Sequence, residues 1–212
     1  MTPPAAIWVI AGPNGGGKSS IVGALIRDWG GDYVNPDEYT AKLVARNRGL
    51  LIDEANGLAW TEGVRRLEEA VEAGRSFAFE TTLGGRTISR LLHRATDRGL
   101  AITMWYIALD SADRHVARVK ARAAGGGHDI PEERIRARYD TSRANLARLV
   151  PKLAALNVLD NSAEASLRRP ARPRPRLVLE WVAGRVVNRG DVANAPSWAR
   201  SIVAAAVKAE RV

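Results

Sequence analysis

Gly12-Pro13-Asn14-Gly15-Gly16-Gly17-Lys18-Ser19 is a complete phosphate-binding loop of the form GxxxxGK[ST]. It follows the apolar run 6–11, which predicts a buried strand, and a helix is expected to begin near Lys18. A glycine-rich turn between a strand and a helix exposes consecutive backbone N–H groups, and the positive end of the helix dipole points at the same place. The stretch therefore predicts a polyphosphate site rather than only a tight turn.

Each position of the loop has an expected task. Lys18 is expected to reach the β- and γ-phosphates of a nucleotide, and the Ser19 hydroxyl is expected to bind Mg²⁺. ATP and Mg²⁺ are thus the predicted cofactors. The predicted nucleotide-binding residues are Gly12, Pro13, Asn14, Gly15, Gly16, Gly17, Lys18, Ser19 and Ser20.

Length and composition are typical of one enzyme domain. The chain has 212 residues, which we interpret as a single domain over 1–212, and it contains no cysteine. Disulfides and thiolate metal sites are therefore excluded. Because the N-terminus lacks a basic region and no apolar stretch has the length of a membrane span, we expect a cytoplasmic protein without a membrane partner.

The net charge of +9 has two interpretations. Arginine accounts for 27 of the 32 basic residues and is spread along the whole chain. A basic surface attracts nucleic acid, but scattered arginines also suit general sequence bias and a phosphate-handling site. We favour the second interpretation and keep nucleic acid as the alternative partner. The densest cluster, 168–176, is interrupted by prolines and predicts an extended connector.

Strand and helix patterns alternate along the chain, which is typical of a parallel sheet covered by helices. We expect an α/β fold with a parallel five-stranded sheet, followed by a small C-terminal β-hairpin and helix over about 176–212. The predicted sheet strands are 6–11, 33–35, 76–80, 101–109 and 156–162. The predicted helices before the hairpin are 19–29, 38–47, 53–73, 86–98, 113–124 and 132–150.

Acidic residues follow three of these strands, at the edge where open α/β sheets bind ligands. Asp37, after Asn35-Pro36, is our candidate general base for phosphoryl transfer to an alcohol, with a helix N-cap as the alternative. Glu80 ends an otherwise apolar strand and could bind Mg²⁺ through water or a substrate hydroxyl, with Thr82 beside it. Asp110, together with Ser111, is better explained as a helix cap.

Paired arginines flank a triple-glycine segment in the region 113–150. Arg118 and Arg122 are one helical turn apart before residues 125–127, and Arg134 and Arg138 have the same spacing after them. We interpret this region, called the lid below, as two helices that close over the triphosphate and neutralise developing charge. A solvated basic helix surface is the alternative. His128 has no partner at metal-ligand spacing and is a poor metal candidate.

Taken in order, these motifs resemble a known family. They look like the motifs of the zeta-toxin-like P-loop kinases. The motifs that carry the resemblance are the loop at 12–19, Asn35-Pro36-Asp37, Glu80-Thr81-Thr82-Leu83, the lid arginines with Gly126-Gly127-His128 and Arg138-Tyr139, and Asp160-Asn161-Ser162. The resemblance covers roughly residues 6–162. The family's long toxins lack the glycine-glycine-histidine lid, and the hairpin and helix at the C-terminus have no match in the toxins' substrate-binding portion.

The resemblance implies a function and a set of roles. Zeta toxins phosphorylate a sugar hydroxyl of UDP-N-acetylglucosamine and related nucleotide sugars with ATP and Mg²⁺, and a small antitoxin holds them inactive. Carried over, Lys18 and Ser19 bind the donor and the metal, and Asp37 is the base. Glu80 and Thr82, with Asp37, bind the small-molecule acceptor, while Arg122 and Arg138 contact the transferred phosphate. Arg118 and Arg134 remain alternatives for those two arginines.

Two other function classes are alternatives for a chain with this loop and this charge. A motor or transport ATPase is disfavoured because the Leu-Ser-Gly-Gly-Gln signature is absent, and a GTPase because the Asn-Lys-x-Asp guanine motif is absent. A polynucleotide or nucleoside kinase, or a nucleic-acid-binding ATPase, stays open because of the charge. A steep loss of oligonucleotide affinity with salt would favour that alternative.

Overall fold

A computed structural model of the chain describes residues 5–21, 33–127, 129–163 and 174–210. Within these ranges the strands form one seven-stranded sheet. They are β1 (Ala6–Ala11), β2 (Tyr33–Val34), β3 (Phe77–Thr81), β4 (Ala101–Ala108), β5 (Ala155–Asp160), β6 (Arg176–Val182) and β7 (Arg185–Val186).

Helices connect the strands. In chain order they are α1 (Lys18–Ile21), α2 (Pro36–Arg46), α3 (Ile52–Glu72), α4 (Arg86–Asp97), α5 (Ala112–Ala124), α6 (Glu132–Leu149), α7 (Arg189–Val192) and α8 (Arg200–Ala209), with short 3-10 turns at Val150–Lys152 and Ser197–Ala199. In the ranges that the structure describes, none of these helices combines the length and the apolar character needed to span a bilayer.

The sheet order is β2-β3-β1-β4-β5-β6-β7. The first five strands are parallel, as predicted, so their carboxyl ends meet at one edge. The predicted C-terminal hairpin also exists, but it is part of the same sheet, because β6 pairs antiparallel with β5. This pairing satisfies the backbone groups along the outer edge of β5, which would otherwise be exposed.

Alternation along β1 divides the core between the two faces of the sheet. Ile7, Val9 and Ala11 belong to the large cluster, which also includes buried side chains of α3, α4, α6 and α8. Ile10 belongs to a smaller cluster on the opposite face, where Ile21 of α1 packs. The strand is buried on both faces, which is why its sequence is almost continuously apolar.

Several predicted boundaries differ from the observed ones. Helix α2 begins at Pro36 rather than at Glu38, because Asn35 caps it and Pro suits the first helical position. Strand β5 ends at Asp160, whose carboxylate accepts a hydrogen bond from the Ser162 backbone in a turn. The helix predicted over 19–29 is described only to Ile21; its remainder lies outside the described residues, as do His128 and most of the connector at 168–176.

Candidate active site

The phosphate loop lies against the end of β4, and its glycines are required by that contact. Gly12, Gly15 and Gly17 have φ values of 136°, 77° and 90°, a region that side chains rarely adopt. A Cβ at Gly12 would lie 2.0 Å from the backbone oxygen of Ile107. The loop therefore holds its shape only with glycine at these places.

Asn161, just beyond the end of β5, holds the same loop from another side. Its side-chain Nδ2 donates to the Gly16 oxygen at 2.8 Å, and its backbone N–H donates to the Ala108 oxygen at 2.9 Å. A Cβ at Gly17 would lie 2.5 Å from that Nδ2. Asn161 belongs to one of the motifs that resemble the zeta-toxin-like kinases, but no role for it could be predicted from the sequence.

His115 of α5 is a second side chain that contacts the loop. Its role could not be predicted, because a single histidine in a helix belongs to no motif. The residue is fully buried. Its Nε2 accepts a hydrogen bond from the Leu109 N–H at 3.0 Å, so Nδ1 carries the ring proton and donates to the Asn14 oxygen at 2.6 Å. Burial lowers the pKa of His115 to about 4, against the opposing effect of the Asn14 hydrogen bond.

Lys18 points into the loop and is buried. Its Nζ donates to the Pro13 oxygen at 3.2 Å and lies 3.7 Å from Glu80 Oε1. Burial lowers the pKa of Lys18 from its usual value, while the carboxylates of Glu80 and Asp37 act in the opposite direction. The carboxylates thus help to keep this ammonium charged inside the protein.

Glu80 is the centre of a buried polar cluster at the end of β3. The Ser19 hydroxyl lies 2.9 and 3.1 Å from its two carboxylate oxygens, Asn35 Nδ2 donates to Oε2 at 3.1 Å, and Tyr33 Oη donates to the same oxygen at 3.3 Å. Burial and the Glu80 charge both raise the pKa of Tyr33. Glu80 is therefore in contact with the expected phosphate and metal residues, Lys18 and Ser19.

Asp37 differs from Glu80 in being open to solvent. The cap of α2 is Asn35, whose Oδ1 accepts hydrogen bonds from the N–H groups of Asp37 and Glu38 at 2.9 and 3.3 Å. The Asp37 side chain is 70% exposed, and its Oδ2 lies 3.8 Å from Arg122 Nη1. Since Asn35 caps the helix, the capping alternative for Asp37 is removed, and the carboxylate faces solvent beside a lid arginine.

Thr82 belongs to a loop that is fixed against α6. Its Oγ1 accepts from the Gly84 N–H at 3.4 Å, and its backbone oxygen accepts from Ser142 Oγ at 2.7 Å. Asn145 Nδ2 donates to the Leu83 oxygen at 2.8 Å. Leu83 is buried with φ at 55°, an uncommon conformation for leucine that these contacts maintain.

The two lid helices pack on each other. Val116 and Val119 of α5 meet Ile135 of α6 in a small cluster of their own. Lys120 also pairs with Glu132 at 2.8 Å, and Arg136 pairs with Asp113 at 2.6 Å. The glycine segment closes the end of α5, where the Gly127 N–H donates to the Arg122 oxygen at 3.0 Å.

The four lid arginines have different surroundings. Arg122 lies beside Asp37, and Arg138 Nη1 donates to Asn14 Oδ1 at 2.9 Å. Arg118 Nη2 instead donates to the Asn161 oxygen at 2.8 Å, and Arg134 is exposed. Burial lowers the pKa of Arg138, and the charge of Arg134 acts in the same direction. Arg122 thus lies beside the candidate base, and Arg138 contacts a residue of the phosphate loop.

Asp110 is not the cap of α5. Ser111 is, since its Oγ accepts from the Arg114 N–H at 3.3 Å. The Asp110 carboxylate lies 3.3 Å from Arg114 Nε. The predicted capping role thus belongs to Ser111 alone.

A sheet of this order, whose first five strands are parallel and whose β1 is followed by a GxxxxGK[ST] loop, has the fold of a P-loop kinase. Solved structures share it. The AvrRxo1-ORF1:-ORF2 complex with ATP gives a TM-score of 0.63 at 15% identity, covering 98% of this chain and 77% of that one. The PezAT chromosomal toxin-antitoxin system of Streptococcus pneumoniae gives 0.54 at 10% identity, covering 99% and 87%.

Sequence comparison gives less. No protein-family model matches the chain. An uncharacterized protein of Haemophilus influenzae is 27% identical over 140 residues, which covers 63% of this chain and 96% of the relative. The comparisons therefore establish the fold, and the function has to be argued from the site.

Proposed function

We propose that the protein is an ATP-dependent phosphotransferase that moves the γ-phosphate to a hydroxyl of a small acceptor, a nucleotide sugar. One observation carries the proposal. An exposed carboxylate, Asp37, lies at the same sheet edge as a buried Lys18 in a complete phosphate loop, and a lid arginine is 3.8 Å from that carboxylate. Phosphoryl transfer to an alcohol needs these three kinds of group together.

The donor side suits a nucleoside triphosphate with Mg²⁺. The loop glycines let the backbone pack closely against Ile107, His115 and Asn161. A glycine-rich loop that leads into a helix exposes consecutive backbone N–H groups, which is the kind of surface that binds phosphates. The Ser19 hydroxyl and the Glu80 carboxylate supply the oxygen ligands that Mg²⁺ prefers, and they are already in contact. Mg²⁺, when bound, supplies charge neutralisation at the phosphates. We therefore assign Ser19 to the metal and favour the metal side for Glu80 over the acceptor.

Asp37 is proposed as the general base. Its carboxylate accepts the proton of the acceptor hydroxyl as that oxygen forms a bond to the γ-phosphorus. The bond from the γ-phosphorus to the bridging oxygen breaks, and ADP leaves with the electron pair. An exposed position suits this role, because an acceptor can approach the carboxylate from solvent.

Lys18, Arg122 and Arg138 are proposed to stabilise the charge on the transferred group. Lys18 is held inside the loop. The two arginines come from separate lid helices, and they lie beside Asp37 and Asn14. A guanidinium delivered in this way acts as an arginine finger within the same chain. Thr82, in the loop after β3, is proposed to contact the acceptor.

The acceptor class and a protein partner come from the resemblance to zeta toxins. Two of the solved structures that share the fold are an ORF1:ORF2 complex and a toxin-antitoxin system, which supports the proposal of an antitoxin-like partner. Neither acceptor nor partner is needed for the assignment of the donor side. The nucleotide-sugar acceptor and the antitoxin-like partner are separate proposals that add to the proposed phosphotransferase activity.

The test is transfer of label from γ-labelled ATP, with Mg²⁺, to a panel of UDP-N-acetylglucosamine, nucleosides, aminoglycosides and RNA. We expect label on the nucleotide sugar. Label on RNA or on nucleosides would contradict the acceptor class and support the polynucleotide or nucleoside kinase alternative. Release of phosphate alone, with no labelled acceptor in any arm, would contradict the phosphotransferase itself.

A further inference from the structure

Asn14 occupies one of the four positions that the GxxxxGK[ST] pattern leaves open, yet it contacts both lid helices. Its side-chain Oδ1 accepts a hydrogen bond from Arg138 Nη1 of α6 at 2.9 Å. Its backbone oxygen accepts one from His115 Nδ1 of α5 at 2.6 Å. We propose that Asn14 is a positioning residue, which sets the guanidinium of Arg138 relative to the phosphate that is transferred. The inference rests on the proposed function.

Arg138 needs such a contact because its side chain is long and has many rotamers. Its stem is restricted by the loop after β3, since a Cβ at Gly84 would lie 2.9 Å from Arg138 Cγ. The tip is restricted by Asn14. With both ends held, the planar guanidinium has a defined orientation, and it carries N–H donors on Nε and Nη2 besides the one that Asn14 accepts.

The amide of Asn14 is chemically suited to this task. A neutral amide oxygen accepts from the guanidinium without neutralising its charge, so that the arginine can still attract a phosphate. A carboxylate at the same place would form an ion pair with Arg138 and would repel the phosphates. Asp37 already attracts this arginine from the acceptor side, opposing the effects of burial and of Arg134. A neutral acceptor in the loop therefore orients Arg138 towards the donor.

Asn14 can orient another residue only if it is itself fixed. His115 provides this, because its ring bridges the Asn14 oxygen and the Leu109 N–H at the end of β4. The contacts thus run from the sheet through His115 and Asn14 to Arg138. Asn14 thus connects both lid helices to the phosphate loop.

The test is the affinity for AMP-PNP relative to ADP, each with Mg²⁺, measured by titration calorimetry on the full chain. The ratio Kd(ADP)/Kd(AMP-PNP) reports contacts to the γ-phosphate and falls when those contacts are lost. We expect Asn14→Ala to lower this ratio about fivefold, a change typical of coupling between contacting residues. Arg138→Ala should lower it as much, and the double variant should lower it no further. Arg136→Ala, on the same helix but paired with Glu132 and Asp113, is the matched control and should leave the ratio unchanged.

Asn14→Asp gives a second, nearly isosteric variant, and it should lower AMP-PNP affinity more than ADP affinity. If Asn14 only supported the loop, ADP and AMP-PNP would weaken equally and the ratio would not move, which would overturn the inference. Additive effects in the double variant would overturn it too. These results leave the proposed function intact, whereas a wild-type protein that binds neither nucleotide contradicts both.

Discussion

Two buried polar side chains, His115 and Asn161, hold the backbone of the phosphate loop in place. His115 and Asn161 bind the carbonyl oxygens of Asn14 and Gly16, at 2.6 and 2.8 Å. Each is buried and uses its hydrogen-bonding groups on backbone, which avoids the cost of an unpaired polar group in the interior. These two contacts fix the backbone of the loop from inside the protein.

His115 should make the stability of the protein depend on pH. Its pKa is about 4 in the folded protein and near its ordinary value of 6.5 in the unfolded chain. Between these values the unfolded chain binds the proton and the folded protein does not, so the stabilisation is complete above pH 6.5 and is lost as pH falls towards 4. The full effect is about 3 kcal/mol. We expect urea melts at pH 7.5 and pH 5 to show about 2 kcal/mol of this loss, because pH 5 lies above the folded pKa.

The control is His115→Gln, which can donate and accept but does not titrate. Its unfolding free energy should change less between the two pH values than that of the wild-type protein. Equal losses in both proteins would mean that other groups cause the acid sensitivity.

At the scale of elements, the loop after β3 and helix α6 are fitted to each other. Ser142 and Asn145 of α6 bind the backbone oxygens of Thr82 and Leu83. Gly84 lies against the stem of Arg138. The loop that carries Thr82, which is proposed to contact the acceptor, thus also limits where a lid arginine can lie.

Gly84→Ala should reduce turnover. The new Cβ would lie 2.9 Å from Arg138 Cγ and 3.3 Å from its Cβ, so the arginine must shift. Misplacement of a catalytic group by about 1 Å can cost about 100-fold in rate, and we expect a loss of about tenfold or more in transfer of label from ATP.

Gly85→Ala is the matched control, because a Cβ there has no atom within 4 Å. It should keep turnover within about twofold, since the φ of −97° at this N-cap is open to alanine and the added Cβ would not touch Arg138. Similar losses in both variants would show that the loop, rather than Arg138, is sensitive.

Element positions could be predicted from sequence where local signals are strong. The loop at 12–19 follows from its composition, and the strand predicted over 101–109, which the structure shows over Ala101–Ala108, follows from its apolar run. The roles of His115, Asn161 and Asn35 could not be predicted in this way, because their partners are remote in sequence or depend on where a helix begins. For the same reason, sequence could pair arginines by spacing but could not separate Arg118, which binds the Asn161 oxygen, from Arg122.

At the scale of the whole molecule, the C-terminal segment is joined to the edge of the sheet that carries the site. Trp198 Nε1 donates to Asp160 Oδ2 at 3.3 Å, and the Trp198 oxygen accepts from Arg143 of α6 at 3.1 Å. Arg143 also lies 4.0 Å from the centre of the Tyr139 ring, and Tyr139 Oη donates to the Asp110 oxygen at 3.0 Å. The segment is thus part of the core and supports the end of β5 and the second lid helix.

Trp198→Ala should destabilise the whole fold. The side chain is 2% exposed, and truncation of a buried tryptophan costs about 3–5 kcal/mol. Trp60→Ala is the matched control, because Trp60 is 51% exposed and its loss should cost less than about 1 kcal/mol. Thermal unfolding followed by circular dichroism compares them. A Trp198 variant as stable as the Trp60 variant would contradict a structural role for the C-terminal segment.

Asp37 is proposed as the base of a phosphotransferase, and its charge should matter far more for transfer than for binding of the donor. Asp37→Asn tests this most directly, with AMP-PNP affinity and transfer of label from γ-labelled ATP measured on the same preparation. We expect unchanged affinity within about twofold and a loss of transfer of about 100- to 10,000-fold, the contribution typical of a general base. Transfer at the wild-type rate would contradict the claim.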